Sequence, residues 1–533
     1  MSKIVVIGGG TMGAGIAFVA AAAGFDVDLV EPDFAAQERA KKRIAKDAER
    51  ASAPDAPARV QYYSQLQPGE ALAAIEAVPE RLELKREIFA QMVKAFDANT
   101  LLATNTSSLA VSDIADGLPN PERVLGLHFF NPPAAMKLVE IVQGEQTAQE
   151  AIERAREVVL RLGKTPVLAA DTPGFIVNRI ARPYYLQAMR AYQAGIAPIE
   201  DLDRLARGAG FRMGPFELMD LIGMDVNLAT TQSVYERTDE DRFEPVAVQQ
   251  EMVAQGRLGR KSGAGFYDYA RGVVPHDDGV PQPAAEVNRD ERVVIIGFAG
   301  LAQEMFERLQ RAYADVQLWE DEDTIGEIPD DATIVFDVGD GASDRGAVVE
   351  ALDARLAPEA VIFVDAYASD LRTMAKRLAH PERIVGYGIL SALEHQRVVE
   401  IVDADETSDD ALEVAQDLFE SIGCGVVLVE DAAGLFLGRT IGSIVNEAVY
   451  AVQEEIASPQ DIDLAMCLGT NYPRGPIAWG QEIGGDRVRR ILTRLAAEDG
   501  AAFAPSRALW VLDVQPGDDQ QQNDNLADVK LGW

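Results

Sequence analysis

Apolar positions along this chain follow two periods in alternation. Short β-branched runs such as KIVVI at 3–7 read as strands buried on both faces. Longer stretches, where apolar residues return every third or fourth position, read as helices. The spacing predicts a helix over 12–23, a second strand before Glu31, a strand over 73–78, a helix over 82–96 and a strand over 100–103. Two further strands, RVLGLHFF at 123–130 and KLVEIV at 137–142, flank Asn131-Pro132-Pro133, and a helix over 147–162 follows. Strands alternating with helices predict an α/β fold with a parallel sheet. From 176 to 255 the pattern is helical throughout, and GAGFYDY at 263–269 closes that region.

The pattern then begins again. Residues 271–289, rich in prolines and acids, read as a linker. From Arg292, RVVIIGFAGLAQEMFERL repeats the opening strand, turn and helix. Pro381-Glu382-Arg383 stands 260 residues after Pro121-Glu122-Arg123, and VEIV at 399–402 repeats VEIV at 139–142 at the same interval. Asp431, Gly434 and Arg439 likewise repeat Asp171, Gly174 and Arg179. The pieces expected are 1–182, 183–270, the linker 271–289, 290–430, 431–515 and a disordered tail over 516–533. The helical regions 183–270 and 431–500 are expected to pack together within one chain, as a pseudo-dimer.

Between the first strand and helix, Gly8, Gly10 and Gly13 stand at the G-x-G-x-x-G spacing, with Thr11 and Met12 opening the helix. The first glycine permits a sharp turn, the second lets backbone approach a pyrophosphate, and the third lets helix pack on strand. The helix start offers unpaired N–H groups to phosphates. Glu31, after the second strand, is placed to accept hydrogen bonds from both ribose hydroxyls and to repel a 2′-phosphate, favouring NAD over NADP. This is the signature of a Rossmann-type nucleotide-binding domain, here followed by an all-helical domain and then by a degenerate copy of both. In that copy Gly8 corresponds to Gly297, but Gly10 and Gly13 become Ala299 and Ala302. His128 becomes Gly388, Ser107 becomes Tyr367, Asn131 becomes Ser391 and Asn178 becomes Gly438. The rear half is therefore expected to carry no dinucleotide.

Charge narrows the partners. With 49 basic and 86 acidic residues the net charge is −37, which argues against nucleic acid and anionic membrane. It also suggests a salt-tolerant surface. A helix within 34–70 gathers Arg39, Lys41, Lys42, Arg43 and Lys46; it reads first as a solvated face, and second as a site for the phosphate of another ligand. No apolar run reaches a membrane span. Cys424 and Cys467 form neither a disulfide framework nor a metal pattern, so a cytoplasmic location is expected.

Four histidines are available: His128, His276, His380 and His395. His128 and Glu140 fall on two apolar strands that are candidates to be neighbours. A neutral histidine can take a hydroxyl proton, and a carboxylate on its other nitrogen fixes the tautomer and stabilises the imidazolium. That meets the need of an alcohol dehydrogenase without a metal. Ser107 and Asn178 are placed to donate to substrate oxygens, and Asn131 lies near the same strand ends.

The segments GGGTMGAGIA, TNTSSL, GLHFFNPPAAMKLVEIV, DTPGFIVNR, MGPFELMDLIG and GRKSGAGFYDY together resemble the 3-hydroxyacyl-CoA dehydrogenases over about residues 3–270. The duplicated, degenerate second half resembles their long bacterial forms, the 3-hydroxybutyryl-CoA and 3-hydroxyadipyl-CoA dehydrogenases. The resemblance implies oxidation of an L-3-hydroxyacyl-CoA with NAD. It makes His128 the general base, Glu140 its partner, and Ser107 and Asn178 contacts of the substrate oxygens. It implies NAD contacts at Glu31, Glu80, Lys85, Asn105, Asn131 and Lys261; by themselves Lys85 and Lys261 read as surface lysines. In two-domain members the helical domains of two chains pack together, and the resemblance extends to a further homodimer of this chain. The alternatives are a β-hydroxyacid dehydrogenase of another substrate class, with a lysine base, and a non-enzymatic NAD-binding protein. Met213, Phe216, Met219 and Met224 are the expected lining of an acyl pocket.

Overall fold

In a computed structural model, residues 3–270, 272, 280, 281, 289–297, 300–320, 322–339, 345–367 and 369–513 are described. Most of the 271–289 linker, His276, Ala299 and the tail lie outside them. Contacts group the chain into two compact units. The first takes the residues up to Ala181 with Ser233–Asp239 and Tyr450–Pro476; the second takes Arg182–Gln232, Glu240–Val449 and the residues from Ile477 on. These units cut across the pieces drawn from the sequence, because each holds segments of both halves.

The first unit is built on an eight-stranded sheet. Its strands are β1 (Lys3–Ile7), β2 (Asp26–Val30), β3 (Val60–Tyr63), β4 (Ala73–Glu76), β5 (Leu101–Thr104), β6 (Val124–Phe129), β7 (Leu138–Gln143) and β8 (Thr165–Ala170). The order is β3-β2-β1-β4-β5-β6-β7-β8. Every pair is parallel except β6 with β7. The helix Thr11–Ala22 is apolar on nearly all sides because it is enclosed between the sheet and the helix Phe34–Arg50. The helix Gln149–Arg161 buries Ala151, Ile152, Ala155, Val158 and Val159 in the same core.

The sheet is backed by a segment of the rear half. The helix Pro459–Thr470 packs on β7, β8 and the short helix Val177–Ile180. The Ala170 amide donates to the Ile456 carbonyl at 2.8 Å. Gly469 permits this approach, since a Cβ there would lie 2.9 Å from Leu138 and Val177 carbons.

The second unit repeats the plan with seven strands: β9 (Arg289–Ile296), β10 (Tyr313–Trp319), β11 (Ile334–Asp337), β12 (Val361–Asp365), β13 (Ile384–Gly388), β14 (Val398–Val402) and β15 (Gly425–Val429), in the order β10-β9-β11-β12-β13-β14-β15. Here the backing comes from the front half. The helix Ile199–Gly208 packs on β14, and the Glu430 amide donates to the Ile196 carbonyl at 2.9 Å. The helical regions also meet within this unit: Gln187 donates to Ser443 at 3.2 Å, and Arg242 to Glu447 at 2.7 Å.

One expectation is corrected. Phe216, Met219 and Met224 are wholly inaccessible, so they fill the core of the helical layer and line no pocket. The exposed apolar side chains nearby are Leu221, Ile222 and Val226, at 49%, 39% and 48%. Helical periodicity marks an apolar face but not what it faces.

Candidate active site

At the end of β1, Gly8 has φ 109°, and a Cβ on it would lie 2.6 Å from the Ala77 carbonyl oxygen. A Cβ on Gly13 would lie 1.9 Å from the Gly8 oxygen. The helix therefore starts where it does only because both positions lack a side chain. Gly10 differs: a Cβ there meets nothing within 4 Å. Its open side belongs to a cleft of about 1380 Å³, lined among others by Gly8, Gly10, Thr11, Met12 and Glu31. The Glu31 oxygens accept from the Gly9 amide at 2.8 Å and the Asp33 amide at 3.0 Å. A carboxylate has about four acceptor positions, so room remains for ribose hydroxyls. Glycine turn, helix start and acid thus fit a dinucleotide. Arg39 and Arg43 line the same cleft, whereas Lys42 and Lys46 are exposed and Lys41 pairs with Glu38.

His128 stands directly opposite Glu140 across the antiparallel β6–β7 pair. Nδ1 lies 2.6 Å from Glu140 Oε2, with His128 6% exposed and Glu140 fully buried. The other carboxylate oxygen accepts from the amides of Ile176 and Val177, at 3.1 and 2.9 Å. A turn at Gly174 and Phe175, with φ of 80° and 49°, aims those amides. The rings of Phe130 and Phe175 pack against the imidazole, their centroids 4.6 and 5.7 Å away. With Nδ1 engaged by a carboxylate, Nε2 is the nitrogen left to exchange a proton with a ligand.

Ser107 is exposed, on the turn after β5. Glu80 gathers that turn: its Oε1 accepts from the amides of Ser107 and Ser108, both at 3.1 Å, and from the hydroxyls of Thr106 and Ser108. Burial pushes the Glu80 carboxyl up, but Lys85 and the two hydroxyls outweigh it and hold it below its ordinary value. Lys85 is no surface lysine. It is 1% exposed, its Nζ 2.9 Å from Glu76 and 3.2 Å from Glu80. Glu76 is a participant the sequence reading missed. The rear half holds a buried acid and base at the corresponding strand end and helix start, Asp337 with Arg345, a likeness that only the structure brings out.

The remaining candidates are distributed. The Asn105 side-chain oxygen accepts from the Phe129 amide at 2.8 Å, tying the turn to the strand of His128. Asn131 is exposed, and Asn178 is half-buried in the short helix after the Gly174 turn. Lys261 belongs to the second unit, where its Nζ pairs with Asp225. Among the described residues no group of three or more His, Cys, Asp or Glu is placed to hold a metal ion, and no helix is long and apolar enough to cross a membrane.

In the rear half the corresponding space is filled. Glu400 is buried opposite Gly388, and Tyr367 donates to it at 2.5 Å. A Cβ on Gly388 would lie 2.9 Å from the Tyr367 ring and hydroxyl, and one on Gly438 2.7 Å from that ring. The tyrosine thus takes the volume of the lost histidine and asparagine, and the three changes are one change in packing. Burial pushes the Glu400 carboxyl up to about 7, against the pull of Tyr367 and the Phe436 and Leu437 amides. A carboxyl raised above its ordinary 4.5 contributes stability that is fully present below that value and is lost as pH rises through about 7. Glu400→Gln keeps the neutral shape. Its stability is expected to fall less than the wild type's between pH 5 and 8, by a difference on the order of 2 kcal/mol that the melting temperatures at the two pH values read out. Parallel melting curves at both pH values would contradict this.

Two family descriptions match the chain, each twice. The 3-hydroxyacyl-CoA dehydrogenase NAD binding domain matches 3–172 and 310–432. The C-terminal domain of the same family matches 174–269 and 434–516. The 3-hydroxyadipyl-CoA dehydrogenase of Escherichia coli (strain K12) is 38% identical over 509 residues, 93% of this chain and 94% of its own. The mitochondrial hydroxyacyl-coenzyme A dehydrogenase of Rattus norvegicus is 40% identical over 287 residues, 50% of this chain and 91% of its own. The crystal structure of 3-hydroxybutyryl-CoA dehydrogenase from Escherichia coli K12 matches with a TM-score of 0.77 at 35% identity, covering 99% of each chain. This chain therefore belongs to the 3-hydroxyacyl-CoA dehydrogenase family of NAD-dependent oxidoreductases, with both of the family's domains present twice.

Proposed function

We propose that the chain oxidises an L-3-hydroxyacyl-CoA to the 3-ketoacyl-CoA, with His128 as general base and Glu140 as its partner. The observation that carries this is the 2.6 Å contact between His128 Nδ1 and a fully buried Glu140. Nε2 of His128 takes the proton of the substrate's 3-hydroxyl, and the Glu140 carboxylate holds the imidazolium that results. The Ile176 and Val177 amides keep Glu140 oriented through the proton transfer. Ser107 and Asn178 donate to the substrate oxygens and fix the alcohol before the base. Bound NAD supplies the hydride acceptor. Gly8, Gly10, Thr11, Met12, Gly13 and Glu31 hold its adenosine and pyrophosphate, and Glu80, Lys85, Asn105, Asn131 and Lys261 are assigned to it as well. For Lys85, whose Nζ is enclosed by two acids, that role is exercised through Glu80.

The wider organisation belongs to the same reading. The chain divides into the pieces 1–182, 183–270, 271–289, 290–430, 431–515 and 516–533, and the helical regions 183–270 and 431–500 pack together as an intrachain pseudo-dimer, able to pair again as a homodimer. Support comes from the bonds of Gln187 and Arg242 to Ser443 and Glu447. A cytoplasmic location fits the two free cysteines. The test is oxidation of NADH by acetoacetyl-CoA, extended over 3-ketoacyl-CoAs of increasing length with a dicarboxylic 3-ketoacyl-CoA included. NADH consumption with at least one thioester is expected; none with any member of the series would overturn the reading.

A further inference from the structure

Arg179 follows Asn178 directly and is 2% exposed. Its guanidinium meets Glu454 with two hydrogen bonds, at 2.6 and 2.9 Å. Glu454 follows the helix Leu437–Gln453, in the degenerate half. The fork-on-carboxylate geometry fixes direction as well as distance. The backbone of Arg179 also abuts the Gly174 turn, since a Cβ on Gly174 would lie 3.0 Å from the Arg179 nitrogen. That turn presents the Ile176 and Val177 amides to Glu140. Close by in sequence, Ile456 accepts from Ala170 at the end of β8.

The pair is not a relic of duplication. Two faithful copies would carry the same acid at both places, but the front residue corresponding to Glu454 is Ala194. The rear counterpart of Arg179, Arg439, pairs instead with Asp499 of the helix Gly485–Asp499 in its own half. The acid from the rear half therefore serves the front turn alone.

We propose that Glu454 is a positioning residue for the front active site: through Arg179 it fixes the turn whose amides orient Glu140 and whose next side chain is Asn178. The proposal rests on the functional reading of His128 and Glu140. It gives the degenerate half a part in the reaction that reaches the base through the Glu454–Arg179 pair, the backbone amides of Ile176 and Val177, and Glu140.

The test compares Glu454→Gln with Asp499→Asn, which opens the pair that Arg439 makes in the rear half. Glu454→Gln is expected to lower kcat about tenfold or more, with KM changed less than about threefold and NADH affinity unchanged. Glu454→Asp should recover part of the loss. Asp499→Asn should lose comparable thermal stability with kcat intact. Hydrogen exchange of the peptide spanning 174–180 should quicken in Glu454→Gln and not in Asp499→Asn. Wild-type kcat in Glu454→Gln, equal kcat losses in both variants, or unchanged exchange at 174–180 would each overturn the proposal. If Glu454→Gln does not fold, Arg179→Lys, which keeps the charge and loses the fork, carries the same comparison. If the wild type turns over no 3-ketoacyl-CoA, the functional reading fails and the positioning role falls with it, while the exchange comparison still decides whether Glu454 holds the turn.

Discussion

His128→Ala is expected to lower kcat for acetoacetyl-CoA reduction by about 10²–10⁴-fold, the usual worth of a positioned general acid or base. NADH affinity should stay within about twofold, because the cleft beside the glycine turn is lined by other residues. The fold should survive. Glu140 keeps the Ile176 and Val177 amides as donors, so its buried carboxylate is not stripped of partners. Steady-state kinetics with a fluorescence titration of NADH reads both quantities. Near-normal turnover would remove His128 from the reaction, and a parallel loss of NADH binding would mean the substitution had damaged more than the base.

The second large effect is at the turn. Gly13→Ala places a Cβ 1.9 Å from the Gly8 carbonyl oxygen, a backbone atom that no side-chain movement relieves. Helix and turn must separate, at a cost of about 1–3 kcal/mol or more. That strain falls where the amides meet the pyrophosphate, so NAD affinity should drop about tenfold to a hundredfold or beyond. The rear half makes this substitution naturally, with Ala302 at the equivalent place and fully buried. Calorimetric titration should accordingly give one NAD per chain in the wild type and weak or no binding in Gly13→Ala. Two equivalents in the wild type would refute the assignment of the rear half.

Much of this was legible in the residues because the features are local. KIVVI, the glycine spacing and the following acid occupy one short stretch, and each has its own steric reason. The pairing of His128 with Glu140 could be anticipated because two adjacent apolar strands with a short connection form one antiparallel step. What stayed hidden depends on distant partners. Lys85 lies on a helix whose pattern gives no hint that the acids of Glu76 and Glu80 enclose its ammonium. Phe216, Met219 and Met224 show an apolar face without showing that other helices cover it. The attachment of Pro459–Thr470 to the front sheet, and of Ile199–Gly208 to the rear one, is invisible to periodicity, which is the same whichever sheet receives the helix. Glu454 is a single acid in a chain rich in them, and only its two bonds to Arg179 set it apart.

The exchange of backing helices between the two halves has a consequence for mass action. A front half alone would have to recruit that cover from solution, in a bimolecular step that dilution reverses. Joined by a tether, the same step is unimolecular, governed by an effective concentration that persists however few molecules are present. The protein's resistance to dilution is therefore written into its covalent continuity, and a cut in the 271–289 segment should make activity fall with the square of enzyme concentration at the lowest levels.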